Sequence, residues 1–326
     1  MPTGSSLAAA DVRVLATTAE LEALRGEWDA LWRADPRATA FQSPHWLLPW
    51  WKHIGEGTLC TVAVRDDDGV LVGLAPLYVY RDGGGVRHLF PIGIATTDYL
   101  EPLARAGWEQ EVATAVLARI EDMEWDVLEW PQLRRDCALL AQRDGHPGEP
   151  NPVLALPATT IPKSTLANLR TCRNRAARVG ALSYELATAR EIPEYLEALA
   201  RLHAQRWSKR GLPGVLSDGA VRSAHAEAAP LLQAAGVLRL HGLRLDGELI
   251  AVLYALVHRR RCCYYIAGFD PRHAFFSPGS LLLAHAIEAA SAEGATVFDF
   301  LRGAEAYKYR WGAVDQAMFT LRRARS

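Results

Sequence analysis

The sequence predicts an α+β fold in which one order of elements, ββ-β-α-β, occurs twice. Three observations carry this. Alternating apolar strands meet at Asp68-Gly69 and again at Asp246-Gly247, the signature of a hairpin. A strand, a helical stretch and another strand follow each hairpin. The offset between the halves is nearly constant, 178 positions from Gly69 to Gly247 and 173 from Asp126 to Asp299. Such an offset indicates a duplicated architecture; two unrelated α+β domains that share an element order are the plainer alternative.

In the first half the spacing predicts strands over Thr61–Arg65, 71–80 and 87–93, a helix over 109–123 and a strand over 125–130. In the second it predicts strands over Leu238–Leu245, 249–258 and 262–268, a helix over 280–292 and a strand over 296–301. Two further helices open the second half. One, 164–179, has Ser164 as its cap, and the other, 192–210, carries the apolar stripe Ile192, Tyr195, Leu196, Leu199 and Leu202 and stops at Gly211. Residues 143–162 hold five prolines and read as a linker, so the domains are expected at 1–150 and 151–326.

Composition excludes several classes. The chain has 326 residues with Lys+Arg 36 against Asp+Glu 37, so no general basic excess is available to neutralise a DNA backbone. No run nears the roughly 20 apolar residues that cross a bilayer, and the first eleven residues lack the basic start and apolar core of a signal peptide. Five scattered cysteines make neither a disulfide framework nor a zinc ribbon. These readings point to a cytoplasmic protein with no metal, no DNA partner and no membrane insertion. H-E-x-x-H, P-loop and G-x-S-x-G motifs are all absent.

The most informative stretch is 262–312. An aromatic strand, Cys262 to Gly268, runs through Phe269-Asp270-Pro271 into Ser277-Pro278-Gly279-Ser280, where an apolar helix begins. Free N–H groups at a helix start, a proline suited to its first turn and a glycine permitting close approach make a cradle for an anion such as a pyrophosphate. The same string serves equally as a plain helix cap. Beyond the helix come Phe298-Asp299-Phe300-Leu301-Arg302-Gly303 and then Glu305, Tyr307, Lys308, Tyr309 and Arg310. So many charges among apolar side chains must pair with one another or meet a ligand.

These strings, together with Phe41-Gln42-Ser43-Pro44-x-Trp46, Asp98-Tyr99, His203-x-x-Arg206-Trp207 and Gly211-x-Pro213-Gly214, resemble the GNAT-superfamily acetyltransferases of the cellulose-biosynthesis (CelD/BcsL-type) group. The resemblance spans about residues 25–315. It implies tandem GNAT-like domains related to the Fem-type peptidyltransferases, each a mixed, mostly antiparallel sheet flanked by helices. The second would bind acetyl-CoA or another acyl-CoA as co-substrate, with the pantetheine arm between two diverging strands, 262–268 and 296–301. Ile266, Gly268, Ser277, Pro278, Gly279 and Ser280 would then hold the cofactor. The usual phosphate loop of the superfamily, a Gln/Arg-x-x-Gly-x-Gly/Ala string, is replaced here by Phe275-Phe276-Ser277-Pro278-Gly279-Ser280. The first half has no such loop and is expected to bind no cofactor.

Acyl transfer to an amine needs a base for the nucleophile and an acid for the departing thiolate. Asp299, Glu305 and His203 are the candidate bases, and Tyr307, with Tyr309, a candidate acid. Asp98, Tyr99, Arg206, Trp207, Arg302, Lys308 and Arg310 are candidates for binding a small-molecule or saccharide acceptor; His203 and Arg206 fit structural places as well. The tryptophans Trp46, Trp50 and Trp51 read as core, with carbohydrate stacking the alternative. Lys163, Arg170, Arg173, Arg175 and Arg178 give one helix a basic face, either simply solvated or a contact for CoA phosphates, an anionic acceptor or tRNA. The expected function is direct acyl transfer from CoA, possible in envelope polysaccharide metabolism. Its alternatives are an aminoacyl-tRNA-dependent Fem-type transferase and a non-catalytic scaffold in polysaccharide assembly.

Overall fold

The computed structural model describes residues 11–208 and 211–325, with the side chains of Arg206 and Ser208 outside that description. The chain divides into two units, Met1–Glu149 with Ala317–Ser326, and Pro150–Gln316. Residues 317–326, expected in the second domain, join the first because their strand completes its sheet.

The first unit runs β1 (Asp11–Leu15), α1 (Thr18–Ala23), α2 (Arg25–Ala34), α3 (Pro44–His53), β2 (Thr58–Leu59), β3 (Thr61–Arg65), β4 (Leu71–Ala75), β5 (Leu77–Arg81), β6 (Arg87–Pro91), β7 (Leu103–Ala104), α4 (Glu109–Glu121), β8 (Val127–Arg134), α5 (Ala138–Gln142) and β9 (His146–Pro147). One sheet has the order β1-β3-β4-β7. The other has β2-β5-β6-β8, then the strand Met318–Ala324, then β9. The strand expected over 71–80 is broken at Pro76, which has no N–H to continue a ladder, and its halves enter different sheets. Trp46, Trp50 and Trp51 are buried and donate their indole N–H groups to Thr97, Thr96 and Thr18, which makes them core rather than a stacking platform.

The second unit runs β10 (Asn151–Ala155), α6 (Lys163–Ala176), β11 (Leu182–Leu186), α7 (Ile192–Ser208), α8 (Gly219–Ala234), β12 (Leu238–Leu245), β13 (Glu248–His258), β14 (Arg261–Phe269), α9 (Pro278–Ala292), β15 (Val297–Asp299), α10 (Ala306–Tyr309) and β16 (Val314–Gln316); β17 is Met318–Ala324 of the first unit. Its seven strands have the order β11-β12-β13-β14-β15-β10-β16. The two-residue turn Asp246-Gly247 has both φ values positive, as a tight hairpin of this hand requires. Residues 143–162 are more than a linker, because β10 threads between β15 and β16 with antiparallel pairing on both sides. In each unit one pair is parallel, β6 with β8 and β14 with β15, and a helix joins its strands. This is the mixed, largely antiparallel α+β architecture read from the sequence.

α6 buries Leu169, Cys172 and Ala176, whereas Leu166 in its first turn is exposed, and Val179, expected at the end of this helix, is exposed beyond its last residue, Ala176. The cap of α6 is Pro162 and carries no side-chain hydrogen bond, so Ser164 lies inside the helix instead of capping it.

Candidate active site

The site is created by a parting of strands. β15 pairs with β14 over only three residues, Arg261 to Cys263 against Val297 to Asp299, while β14 continues to Phe269 along β13. The pairing of β14 with β15 therefore ends at Cys263, and the two strands part from Tyr264 onward.

A bulge then sorts the side chains of β14. Tyr254 of β13 pairs with Ile266 and the adjacent Ala255 with Tyr264, so Tyr265 is the extra residue. Such an insertion resets the alternation of faces. Cys262, Tyr264, Ala267 and Phe269 pack in the core with α6 and α9. Tyr265 and Ile266 both turn to the other face. The Tyr265 ring lies 5.4 Å from that of His225 on α8. Gly268 faces α7, where a Cβ would stand 2.7 Å from the backbone nitrogen of His203; only glycine lets the helix approach so closely.

On the α9 side the parting opens a cavity of about 340 Å³. α6 contributes Thr165, Asn168 and Leu169 to its lining, β14 contributes Tyr264, Ala267 and Phe269, and α10 with its C-terminal flank contributes Tyr307, Arg310 and Trp311. Ser277, Gly279 and Ser280 bring the first turn of α9 to it. Ser277 adopts left-handed backbone angles and makes no side-chain cap, and Pro278 occupies the start of the helix. The Ser277 N–H donates to the Ala274 carbonyl, the Ser280 N–H donates to the Ser277 carbonyl and Pro278 has no N–H, so Gly279 supplies the N–H of this turn, and the positive end of the helix dipole favours an anion there. Arg310 is the one charged side chain among the lining residues, so helix and side chain both favour negative charge. A hydrogen bond of 2.6 Å from Thr165 Oγ1 to the Arg310 carbonyl ties α6 to α10 across this wall.

The structure thus gathers Ser277, Gly279, Ser280, Tyr307 and Arg310 around one cavity, with Pro278 buried just behind. It separates the rest. Ile266 is on the opposite face because of the bulge. His203 is buried on α7 with its ring 5.7 Å from that of Trp207, again away from this cavity. The Arg206 side chain lies outside the described residues. Asp299 is fully buried, with Arg261 Nη1 2.6 Å from its Oδ2 and the Leu301 N–H donating to its Oδ1. That is an anchor for the end of β15, and it has no accessible surface at which to take an acceptor's proton.

Lys308, expected to bind substrate, is buried and holds the chain instead. Its Nζ donates to the carbonyls of Leu301 (2.9 Å), Arg302 (2.7 Å) and Gly303 (3.0 Å) and pairs with Glu305 at 2.8 Å. Glu305 is therefore engaged with Lys308 on the outside of this loop, and neither residue lines the cavity. Arg302 contributes its carbonyl to the same staple. Asp98 and Tyr99 are buried in the first unit, with the Arg134 guanidinium 5.5 Å from the Tyr99 ring centroid, which leaves the phenol no open surface for an acceptor.

Sequence reasoning missed Thr165, Asn168 and Tyr264. The basic residues of α6 drew attention to its exposed side, whereas the cavity wall uses its small polar residues. Among the described residues no cluster of three or more His, Cys, Asp or Glu could hold a metal ion, and no helix is long and apolar enough to cross a membrane.

No curated protein matches the chain. Among solved structures, FemX is 12% identical over 91% of this chain and 95% of its own, with a TM-score of 0.66. A conserved protein of unknown function from Bacteroides thetaiotaomicron is 14% identical over 96% and 99%, with a TM-score of 0.64. L-PGS from Bacillus licheniformis is 14% identical over 84% and 86%, with a TM-score of 0.58. At such identities the likeness is one of fold. The family model that matches is the acetyltransferase (GNAT) domain, over residues 163–309, the stretch from the start of α6 to the end of α10.

Proposed function

We propose that the second unit transfers an acyl group from CoA directly to an amine or hydroxyl acceptor. The observation that carries this reading is the cavity at the parting of β14 and β15, with the first turn of α9 and Arg310 on its wall. A diphosphate would rest on that turn, and the thioester arm would follow β14 from Tyr264, where β15 has left it. Direct transfer is supported by the state of the cysteines. All five are buried, and burial pushes the thiols of Cys60, Cys137 and Cys262 up to about 12, so these three offer no thiolate to relay the acyl group.

In this reading the acceptor attacks the thioester carbonyl, the new C–N or C–O bond forms, and the C–S bond breaks. Tyr307 gives its phenolic proton to the departing sulfur and recovers one from the acceptor atom, which closes the proton balance without a carboxylate in the cavity. Tyr307→Phe is expected to lower turnover by about 10²-fold with little change in CoA affinity. Single-turnover rates and a separate binding titration check both halves, and unchanged turnover removes Tyr307 from the mechanism.

Ser280→Asp tests the anion site through two readouts of opposite sign. A carboxylate in the first turn complements the helix dipole, so folding stability should hold or rise by about 0.3–1 kcal/mol. The same charge repels a diphosphate, and CoA affinity should fall at least about tenfold. Acetyl-CoA should raise the melting temperature of the wild-type protein, since a ligand that binds only the folded state stabilises it. No shift at millimolar acetyl-CoA would sink the reading.

One observation favours a second reading. The exposed face of α6 carries Lys163, Arg170, Arg173 and Arg175, and Arg178 follows two residues past its end; Lys163, Arg170 and Arg178 have no ion pair among the described residues. Such a face suits a phosphate backbone, so an aminoacyl-tRNA donor is the alternative. Stabilisation by aminoacyl-tRNA and not by acetyl-CoA would select it, and response to neither would favour a scaffold. The envelope saccharide that the sequence resemblance implies remains the acceptor class of the first reading.

A further inference from the structure

A second concavity lies on the opposite face of the same strand. It measures about 600 Å³, inside the roughly 300–1,000 Å³ range of small-ligand clefts. Leu196, Leu199, Ala200 and Ala204 of α7 face Ala226 of α8 across it, and Ile266 of β14 is part of its wall. The space exists because alanines at facing positions bring too little side chain to fill the gap between two helices.

Its polar groups are few. His225 lines the wall and is held neutral, because burial pushes its imidazole down to about 4. Arg222 is committed to the carbonyls of Leu216 (2.9 Å) and Ser217 (2.8 Å). Glu197 and Arg201 stand one helical turn apart on α7. Behind His225, Tyr254 keeps a buried hydroxyl with no hydrogen-bond partner among the described residues, its ring centroid 5.6 Å from that of His225. The walls are apolar and the charges belong to exposed residues.

The bulge at Tyr265 relates the two cavities. Tyr264 and Ala267 line the first, and Ile266, between them in the chain, lines the second. They are separated by the thickness of one strand, at the segment where β15 has already left the edge of β14. We infer that the α7–α8 cavity receives an aliphatic chain of one of the reactants, while the thioester carrier occupies the α9 side. The chain is either the acyl group of the donor or the apolar body of the acceptor; the chemistry of the wall is the same for both. This rests on the acyltransferase reading for the role of the chain, and on the cavity alone for its binding.

Titration calorimetry on the full chain decides it, with acetyl-CoA, octanoyl-CoA and n-octylamine as probes. The wild-type protein is compared with Ala200→Phe and Ala226→Phe, which fill the cavity from different helices, with a melting curve for each. If the chain belongs to the donor, octanoyl-CoA binds at least about tenfold tighter than acetyl-CoA, as burial of several methylenes requires. If it belongs to the acceptor, n-octylamine binds the free protein. In either case the folded Phe variants lose the preference. The inference is overturned if octanoyl-CoA is no tighter and n-octylamine does not bind, or if the preference survives in both variants. Binding of n-octylamine that the Phe variants abolish, in a protein that ignores both CoA thioesters, would uphold the cavity and sink the CoA reading.

Discussion

Replacing Lys308 with methionine is expected to cost about 3–5 kcal/mol of stability, the scale for removing one side of a buried charged network. The ammonium holds three successive carbonyls, those of Leu301, Arg302 and Gly303. Bonds to a charged donor contribute about 1.5–3 kcal/mol each and do not simply add. Leu301 is also held at φ +58, a left-handed conformation that costs a leucine roughly 1–2 kcal/mol. At about 2–4 °C per kcal/mol for a unit of this size, the melting temperature should fall by roughly 6–20 °C. Lys308→Arg should not rescue it, since a planar guanidinium cannot reach three converging carbonyls as an ammonium does. Activity should fall as well, although Lys308 does not line the cavity, because the stapled loop leads directly into Tyr307 and Arg310. A loss below about 1 kcal/mol by urea denaturation would show that the staple is dispensable.

Arg261→Met should be comparably damaging. It removes the guanidinium facing the fully buried carboxylate of Asp299, and stranding such a charge costs about 3–5 kcal/mol. The double variant Arg261→Met with Asp299→Leu should recover more than half of that loss, because replacing a buried pair by apolar groups is often nearly neutral. A double-mutant cycle measures this directly. If the double variant is as unstable as the single, the pair is not the source of the effect. The result also bears on catalysis. A base must exchange protons with its substrate, whereas a carboxylate sealed behind arginine and the Leu301 N–H serves to fix the point where β15 ends.

What the sequence revealed and concealed follows from the range of the forces involved. The Asp246-Gly247 turn was legible because positive φ at two successive residues is a local demand that few residue pairs meet. The helix start at Ser277-Pro278-Gly279-Ser280 was legible because a proline suits the first turn of a helix. Pro76 was a visible breaker, but the apolar run on both sides of it read as one strand. The bulge at Tyr265 was hidden because every residue from Cys262 to Ile266 suits either face of a buried sheet, so no slip in polarity marks the shift. Lys308 was singled out correctly as unusual and assigned to the wrong partner. Its true partners are backbone carbonyls, and no side-chain pattern encodes their convergence. The alanines of α7 and α8 carried no signal at all, since a residue that leaves room looks the same in a sequence as one that merely fits.

The route of the chain sets an order of assembly. β17, between β8 and β9, is contributed by residues 318–324, whereas every strand of the second unit lies between 151 and 316. On the ribosome, the second unit has its whole complement of strands before the first can seal its own sheet. The portion translated first is thus the last able to finish, and until then the flank of β8 that β17 will cover waits as an open template for pairing.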